Sequence, residues 1–139
     1  MRERQMFLKL FFIIFFNSIF LSNLYAHHPG NKIEAKMPYP KINIEVSRDK
    51  IEGYNLFFNL QNFKLSPDNI EVKNENDSGY LQLFINDIKI SRIYSKWFHA
   101  PERFFSQKEN SIKIKLFTNL HDELTIDNQP IEFEFKVLK

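Results

Sequence analysis

Histidine is the residue type in this sequence with the clearest capacity for metal chemistry. The chain has no cysteine, which excludes thiolate ligands and disulfides. Its histidines are His27, His28, His99 and His121. Imidazole and amine nitrogens suit Cu(II), which favours planar arrangements of such ligands. If a signal peptide is removed after Ala26, His27 becomes the N-terminal residue and offers both its amine and its ring to one ion. We therefore consider a copper site built from these four histidines.

The two later histidines lie in different sequence surroundings. His99 ends an aromatic segment, whereas His121 precedes Asp122 in a stretch typical of a loop. A carboxylate beside a histidine can orient its ring, as the outer shell of a metal site requires. The ordinary alternatives stay open: a backbone-bonded ring at His99, a solvated loop residue at His121, and a polar, disordered arm at His27 and His28.

Motifs of known catalytic sites are missing from the sequence. It contains no Gly-x-Ser-x-Gly, no His-Glu-x-x-His and no phosphate-binding glycine loop, and it has only 3 glycines. Asp122 and Glu123 are an acidic pair. Adjacent residues on one loop make a poor general acid and base without a facing partner. We therefore expect a protein without catalytic activity, whose one candidate cofactor is copper.

An aromatic cluster next to His99 is the second candidate for function. Aromatic side chains bury large areas, so these rings are expected to pack over the open end of a core. Rings that stay exposed would instead form an apolar patch of the kind that marks a partner surface. The candidate partner surface consists of Tyr94, Trp97 and Phe98, with Phe104 and Phe105 close by in the sequence.

The N-terminal segment has the pattern of a secretory signal peptide. A basic start at residues 1–9 is followed by an apolar run at residues 10–16 and, later, by small Ala26. The rival interpretation is an uncleaved anchor helix, but the run is far shorter than the roughly 20 apolar residues that span a bilayer. We expect cleavage after Ala26, a periplasmic or secreted location, and no stable membrane anchor afterwards.

The charge balance changes when this segment is removed. The chain has 19 basic and 17 acidic residues, of which residues 1–26 contain three and one, so 16 of each remain. A domain with no net charge has no electrostatic reason to bind nucleic acid or an anionic membrane. The expected partner is therefore another protein or a metal ion.

The elements that position these residues are indicated by alternation of apolar and polar residues. Along a strand with this period of two, one face lies in a core and the other in water. Turn-forming residues such as Asn86-Asp87 separate the runs, and Phe57 breaks the alternation of one of them. About seven short strands in roughly 100 residues are typical of an immunoglobulin-like antiparallel β-sandwich, with an up-and-down barrel as the alternative. The alternating runs are 42–46, 56–60, 81–85, 88–92, 112–116 and 131–137.

The chain is therefore expected to have three parts. Residues 1–26 are the signal peptide, residues 27–41 an extended N-terminal arm, and residues 42–139 the sandwich domain. Prolines and a glycine, with little apolar periodicity, indicate the arm.

The middle of the chain resembles a group of small, largely uncharacterised exported bacterial proteins. Their pattern reads Gly-His-x-His-Leu-Tyr-Val-Asn-Gly-x-Lys, followed by Tyr-x-x-Trp-Tyr-His and Leu-Asn-x-Asn-x-His. The matching segments begin at Tyr54, Asn62, Gly79 and Trp97, and the likeness covers most of residues 42–137. The resemblance implies the same fold and export, and the paired histidines of the pattern imply metal binding.

This chain departs from that pattern at its histidines. The paired histidines fall on Tyr80 and Gln82, and the turn glycine falls on Asp87. Only His99 and His121 match histidines of the pattern. The implied metal site is therefore incomplete in this chain, where Tyr80 and Gln82 would line a pocket between His99 and His121.

Three interpretations of function follow, the last of them an enzyme of unrecognised kind, which would need a pocket lined by ionisable residues. The first is an exported binding or interaction module without catalytic activity, which an exposed apolar patch at Tyr94, Trp97 and Phe98 would favour. The second is a copper-handling protein, which convergence of the histidines within a few ångströms would favour. A looser likeness to periplasmic copper-resistance proteins, which are β-sandwiches with a histidine at the mature N-terminus, rests on His27 and on fold class alone.

Overall fold

The computed structural model describes residues 31–67 and 78–139 and shows an all-β protein. Strands make up 62% and helix 3% of these residues, which confirms the fold class that the alternation predicts. No helix in this described part is long and apolar enough to cross a membrane. The strands are β1 (Lys32–Glu34), β2 (Lys41–Arg48), β3 (Tyr54–Gln61), β4 (Lys64–Leu65), β5 (Ser78–Ile85), β6 (Ile88–Ile93), β7 (Trp97–Ala100), β8 (Glu109–Phe117), β9 (Glu123–Ile126), β10 (Gln129–Pro130) and β11 (Glu132–Leu138), with a 3₁₀ helix at Glu102–Phe104.

These strands form two sheets that pack as a sandwich. The smaller sheet has three antiparallel strands in the order β2-β3-β7. The larger sheet has eight strands and is centred on the antiparallel pair β5 and β8. Within it, β1 pairs with β9 and β4 with β5 in parallel, so the sheet is mixed. The described residues contain more strands than the sequence predicts because β1, β4 and β10 have only two or three residues each, too few to show alternation.

The core lies between the two sheets. Leu56 of β3, Leu83 of β5 and Ile114 of β8 are fully buried in one apolar cluster. Burial of one such side chain contributes about 1.5–3 kcal/mol to stability. This apolar layer therefore joins the sheets and fixes which side chains face outward.

Strand β5 is buried on both of its faces. Leu81 and Leu83 lie in the core, whereas Tyr80 and Gln82, on the opposite face, are each only 1% exposed. A β-carbon on Gly79 would lie 1.9 Å from the carbonyl oxygen of Phe117. Glycine at position 79 therefore allows the start of β5 to approach the end of β8 this closely.

The turn between β5 and β6 is the two-residue hairpin that the sequence predicts. Asn86 and Asp87 have φ angles of 51° and 62°. Positive φ at both central residues is the geometry whose twist matches the flanking strands, and Asn and Asp adopt it more readily than most residues. Asp87 therefore fits where the resembled pattern has glycine.

The N-terminal arm is partly built into the sandwich. Residues 32–34 are extended, as expected, but they form β1 and pair with β9. The Thr125 hydroxyl donates to the Ile33 carbonyl at 3.2 Å, and Ala35 is buried behind the strand. The larger sheet therefore includes residues of the predicted arm, which supply backbone hydrogen-bond partners to β9.

The final strand faces the core as its alternation predicts. Phe133 and Phe135 stand opposite Ile114 and Ile112 of β8, and both rings pack partly buried against the core. Val137, in the same strand, is 8% exposed. The strand therefore covers the side of the core without being fully enclosed.

Candidate functional site

The outward surface of the smaller sheet carries an unusual combination of amides and aromatic rings. Leu56 and Phe58 of β3 point into the core, so the residues between and beside them point outward. The registers of β2 and β7 on β3 place further side chains beside these. We call this surface the amide–aromatic face and define it by Asn43, Asn55, Phe57, Asn59, Trp97 and His99.

Two large aromatic residues on neighbouring strands are exposed on the amide–aromatic face. Phe57 and Trp97 are direct cross-strand partners, and they are 46% and 49% exposed. Side chains paired in this way have β-carbons about 4.5–5.5 Å apart. Single exposed apolar residues are common on proteins, but two adjacent aromatic rings form a patch that binding surfaces favour.

A polar chain borders the rings on one side. The Asn55 Nδ2 group donates to Asp49 Oδ2 at 2.8 Å. The Asn55 amide oxygen then faces His99 Nδ1 at 3.3 Å, so His99 donates from Nδ1 and leaves Nε2 as an acceptor. Hydrogen bonds from the Ile51 backbone N–H and from Asn55 lower the pKa of Asp49.

A shallow groove borders the rings on the other side. It is lined by Lys41, Ile42, Asn43, Asn59 and Gln61 and has a volume of about 360 Å³. Its polar walls are Asn59 and Gln61, the next outward-facing residues of β3 after Phe57, and their partners on β2. The groove therefore extends the amide–aromatic face along the strands.

A second polar cluster lies on the outward surface of the larger sheet. The Tyr80 hydroxyl is 3.2 Å from His121 Nδ1. The Tyr80 ring stacks on Phe117 with centroids 5.6 Å apart and contacts Tyr94 at 5.5 Å. The Arg92 guanidinium lies 5.3 Å from the same ring centroid. These groups explain how an outward-facing phenol becomes almost fully buried.

The pKa shifts of Tyr80 and His121 favour the neutral form of each side chain. Burial raises the pKa of Tyr80 to about 12, so its phenol keeps its proton in the neutral range. The partial burial of its ring, followed by the nearby charges of Arg92 and Lys89, lowers the pKa of His121. A neutral His121 accepts from the phenol at Nδ1 when its own proton is on Nε2.

Gln82 is enclosed beside this cluster. Its Nε2 group donates to the Ser91 carbonyl at 2.7 Å. Its Oε1 atom has no hydrogen-bond partner among the described residues. Of the two positions where the resembled pattern has histidines, position 80 contacts His121 directly and position 82 does not hydrogen-bond to it in the described part.

The structure does not bring the two later histidines together. His99 lies on the outward side of the smaller sheet, and His121 packs on the outward side of the larger sheet, so the whole core separates them. Residues 31–67 and 78–139 contain no group of three or more potential metal-binding side chains. His27 and His28 lie outside the described residues, and their copper role stays a prediction.

The aromatic cluster of the sequence divides among three environments. Trp97 is exposed on the amide–aromatic face, and Phe98 packs against the core. Tyr94 contacts Tyr80. The two rings close by in the sequence are packing residues: Phe105 is 1% exposed and Phe104 is partly buried. Only Trp97 of the predicted partner surface is therefore a large exposed ring.

Phe57 is the functional candidate that the sequence analysis missed. Its signal was present, since an apolar residue at a polar position interrupts the alternation of β3. The pairing of β3 with β7, which only the structure gives, places it beside Trp97.

Comparisons with known proteins give no match. No family model matches the chain, and no curated protein and no solved structure matches it significantly.

Proposed function

We propose that this chain is an exported β-sandwich binding module without catalytic activity, and that the amide–aromatic face is its binding surface. The observation that carries the proposal is the exposed cross-strand pair Phe57 and Trp97. Tryptophan and other aromatic residues contribute strongly to binding because they give large, rigid contact areas. Export is supported by the basic and apolar pattern of residues 1–26.

The position of the pair also supports a binding role. Strand β7 is an edge strand of the smaller sheet, and Trp97 on it is 49% exposed beside Phe57 of β3. Aromatic side chains have only two rotatable torsions, so they lose less conformational freedom than longer side chains when a partner covers them.

The single tryptophan of the chain makes this proposal directly testable. Protein labelled with 5-fluorotryptophan has one ¹⁹F resonance, which reports on Trp97. We expect cell-envelope extract from the source organism to shift or broaden this resonance, because a partner on the face contacts the ring. The same extract is tested on labelled Phe57→Ser protein, in which the response should fall.

Ile88→Ser is the matched control. Ile88 is 64% exposed but belongs to the larger sheet, so its loss should leave the response unchanged. An unchanged ¹⁹F resonance with every extract, or an equal loss of response in both variants, would contradict the amide–aromatic face as the binding surface.

A further inference from the structure

We propose that the amide–aromatic face binds a neutral carbohydrate chain, an inference that rests on the proposed function and names the class of its ligand. Sugar rings have apolar faces of C–H groups and edges of hydroxyl groups. A surface that recognises them needs flat apolar area next to groups that both donate and accept hydrogen bonds. Phe57 and Trp97 supply the first requirement, and the neighbouring amides supply the second.

The amides beside the rings are available for a ligand. Asn43, Asn59 and Gln61 are exposed, and their side chains make no hydrogen bond to the described residues. A carboxamide offers two donor hydrogens and an acceptor oxygen without charge. This set matches hydroxyl groups, each of which is also a donor and an acceptor.

The charge of the face favours a neutral partner. Lys41 lies at one end, Glu45 stands opposite Phe57, and Asp49 is already held by Asn55 and by the Ile51 backbone N–H. A polyanion such as nucleic acid would meet one lysine and two carboxylates, and a polycation would meet the same three groups, with Asp49 already hydrogen-bonded within the chain. Neither finds the clustered opposite charge that such ligands require.

The shape of the face favours a chain over a single sugar. From Asn55 to Gln61, β3 extends for about 20 Å at 3.4 Å per residue. The rings occupy the middle of this length, and the groove of about 360 Å³ occupies one end. An extended oligosaccharide can stack on the rings while its next units hydrogen-bond to the groove amides.

Native gels that contain one soluble neutral polysaccharide each give the test. Hydroxyethylcellulose, xylan, glucomannan and laminarin are the probes in the gels, and insoluble chitin is tested by depletion from solution. We expect at least one of them to retard or deplete the protein, and its oligosaccharides to shift the ¹⁹F resonance of labelled Trp97. Binding should weaken about tenfold or more in Trp97→Ala and measurably in Asn59→Ala.

Ile88→Ala is the control, since it removes an exposed apolar side chain from the other sheet. It should bind as the unmodified protein does. All three positions are partly or largely exposed, so the denaturation midpoints of the three variants should be equal. Equal midpoints then show that each variant is folded.

The outcomes distinguish failure of the carbohydrate inference from failure of the proposed function. If no polysaccharide binds but protease treatment abolishes the response of Trp97 to envelope extract, the carbohydrate inference is wrong and the face binds a protein. A ¹⁹F shift that depends only on the concentration of this chain would overturn the inference in favour of self-association. If neither polysaccharides nor extract change the resonance, both proposals fail.

Discussion

Tyr80 shows how a phenol can occupy an outward position of a sheet and still be buried. Phe117, Tyr94 and Arg92 cover its ring, and His121 lies at its hydroxyl. Because burial raises its pKa to about 12, the Tyr80 phenol keeps its proton in the neutral range. At this position the chain has a packed, neutral pair in place of the histidine of the resembled pattern.

The protonation of His121 gives a prediction at the residue scale. Burial and then Arg92 are the largest causes that lower its pKa from 6.5. In Arg92→Gln we expect the His121 pKa to rise toward that value, as followed by NMR of the imidazole ring. Lys136→Gln, at the Glu109 end of the sheet, should leave it unchanged. An Arg92→Gln protein with the original His121 pKa would contradict this origin of the shift.

The lowered pKa of His121 also determines how the stability of the fold changes with pH. A histidine whose folded-state pKa lies below its unfolded value is more easily protonated in the unfolded chain. The contribution of neutral His121 to stability is therefore fully present above the unfolded pKa and is lost as the pH falls through the folded pKa.

Asn110 gives a second prediction at this scale. It is fully buried, and its Oδ1 accepts from Asn86 Nδ2 at 2.8 Å and from the Gln107 N–H at 3.0 Å. In Asn110→Ala these donors lose their partner, so we expect a loss of about 1–3 kcal/mol in the free energy of unfolding. Chemical denaturation measures this loss. Asn43→Ala, an exposed control, should change stability by no more than about 0.5 kcal/mol.

At the scale of elements, β1 is held by a small hydrogen-bonded set. Glu34 accepts from the Thr125 hydroxyl and, at 3.2 Å, from the Asn128 N–H. The bond from Thr125 is the largest cause that lowers the Glu34 pKa below 4.5. Docking of β1 is therefore supported above the unfolded pKa of a glutamate and weakens as the pH falls through the lowered value.

We expect acid to release β1 before the rest of the sheet. The backbone N–H of Ala35 donates to Thr125 at 2.8 Å, and its hydrogen-exchange protection measures docking. Protection should fall between pH 7 and about pH 3, and the fall should shrink in Glu34→Gln. Glu45→Gln, on the smaller sheet, is the control. The same pH dependence in both variants would show that Glu34 is not responsible.

Elements differ in how far the sequence predicts them. Strands β2 and β8 have eight and nine residues, enough for alternation to show which face is buried. β1 has three residues and pairs with β9, far along the chain. A segment so short has no periodicity of its own, and its partner is set by tertiary structure.

At the scale of the whole molecule, the two sheets depend on one core. Leu83 lies inside this core and has no exposed surface, whereas Phe133 is only partly buried against the core. We expect Leu83→Ala to cost about 2–5 kcal/mol. Phe133→Ala should cost less than the 3–5 kcal/mol typical of a fully buried phenylalanine. Denaturation midpoints test both, and an unchanged midpoint in Phe133→Ala would contradict the orientation of β11.

The candidate site depends on this whole-molecule arrangement, which is why the sequence predicts it incompletely. Histidine spacing does not say which sheet receives each ring, and the structure places His99 and His121 on opposite surfaces. The sequence offers Trp97 as one ring of a candidate partner surface, with packing over the core as the expected alternative. Its neighbour Phe57 is separated from it along the chain, so their pairing follows only from the order of strands in the smaller sheet.

The close approach at Gly79 has a consequence for how such sequences can diverge. Since any side chain at this position would collide with the Phe117 carbonyl, the requirement for glycine comes from the backbone and persists whatever the protein binds. Tyr80 and Gln82 are restricted differently, by the side chains and carbonyl groups packed around them. Any sequence that pairs two strands this closely therefore needs glycine at the equivalent of position 79, whereas its choice of residues at positions 80 and 82 depends on what packs there.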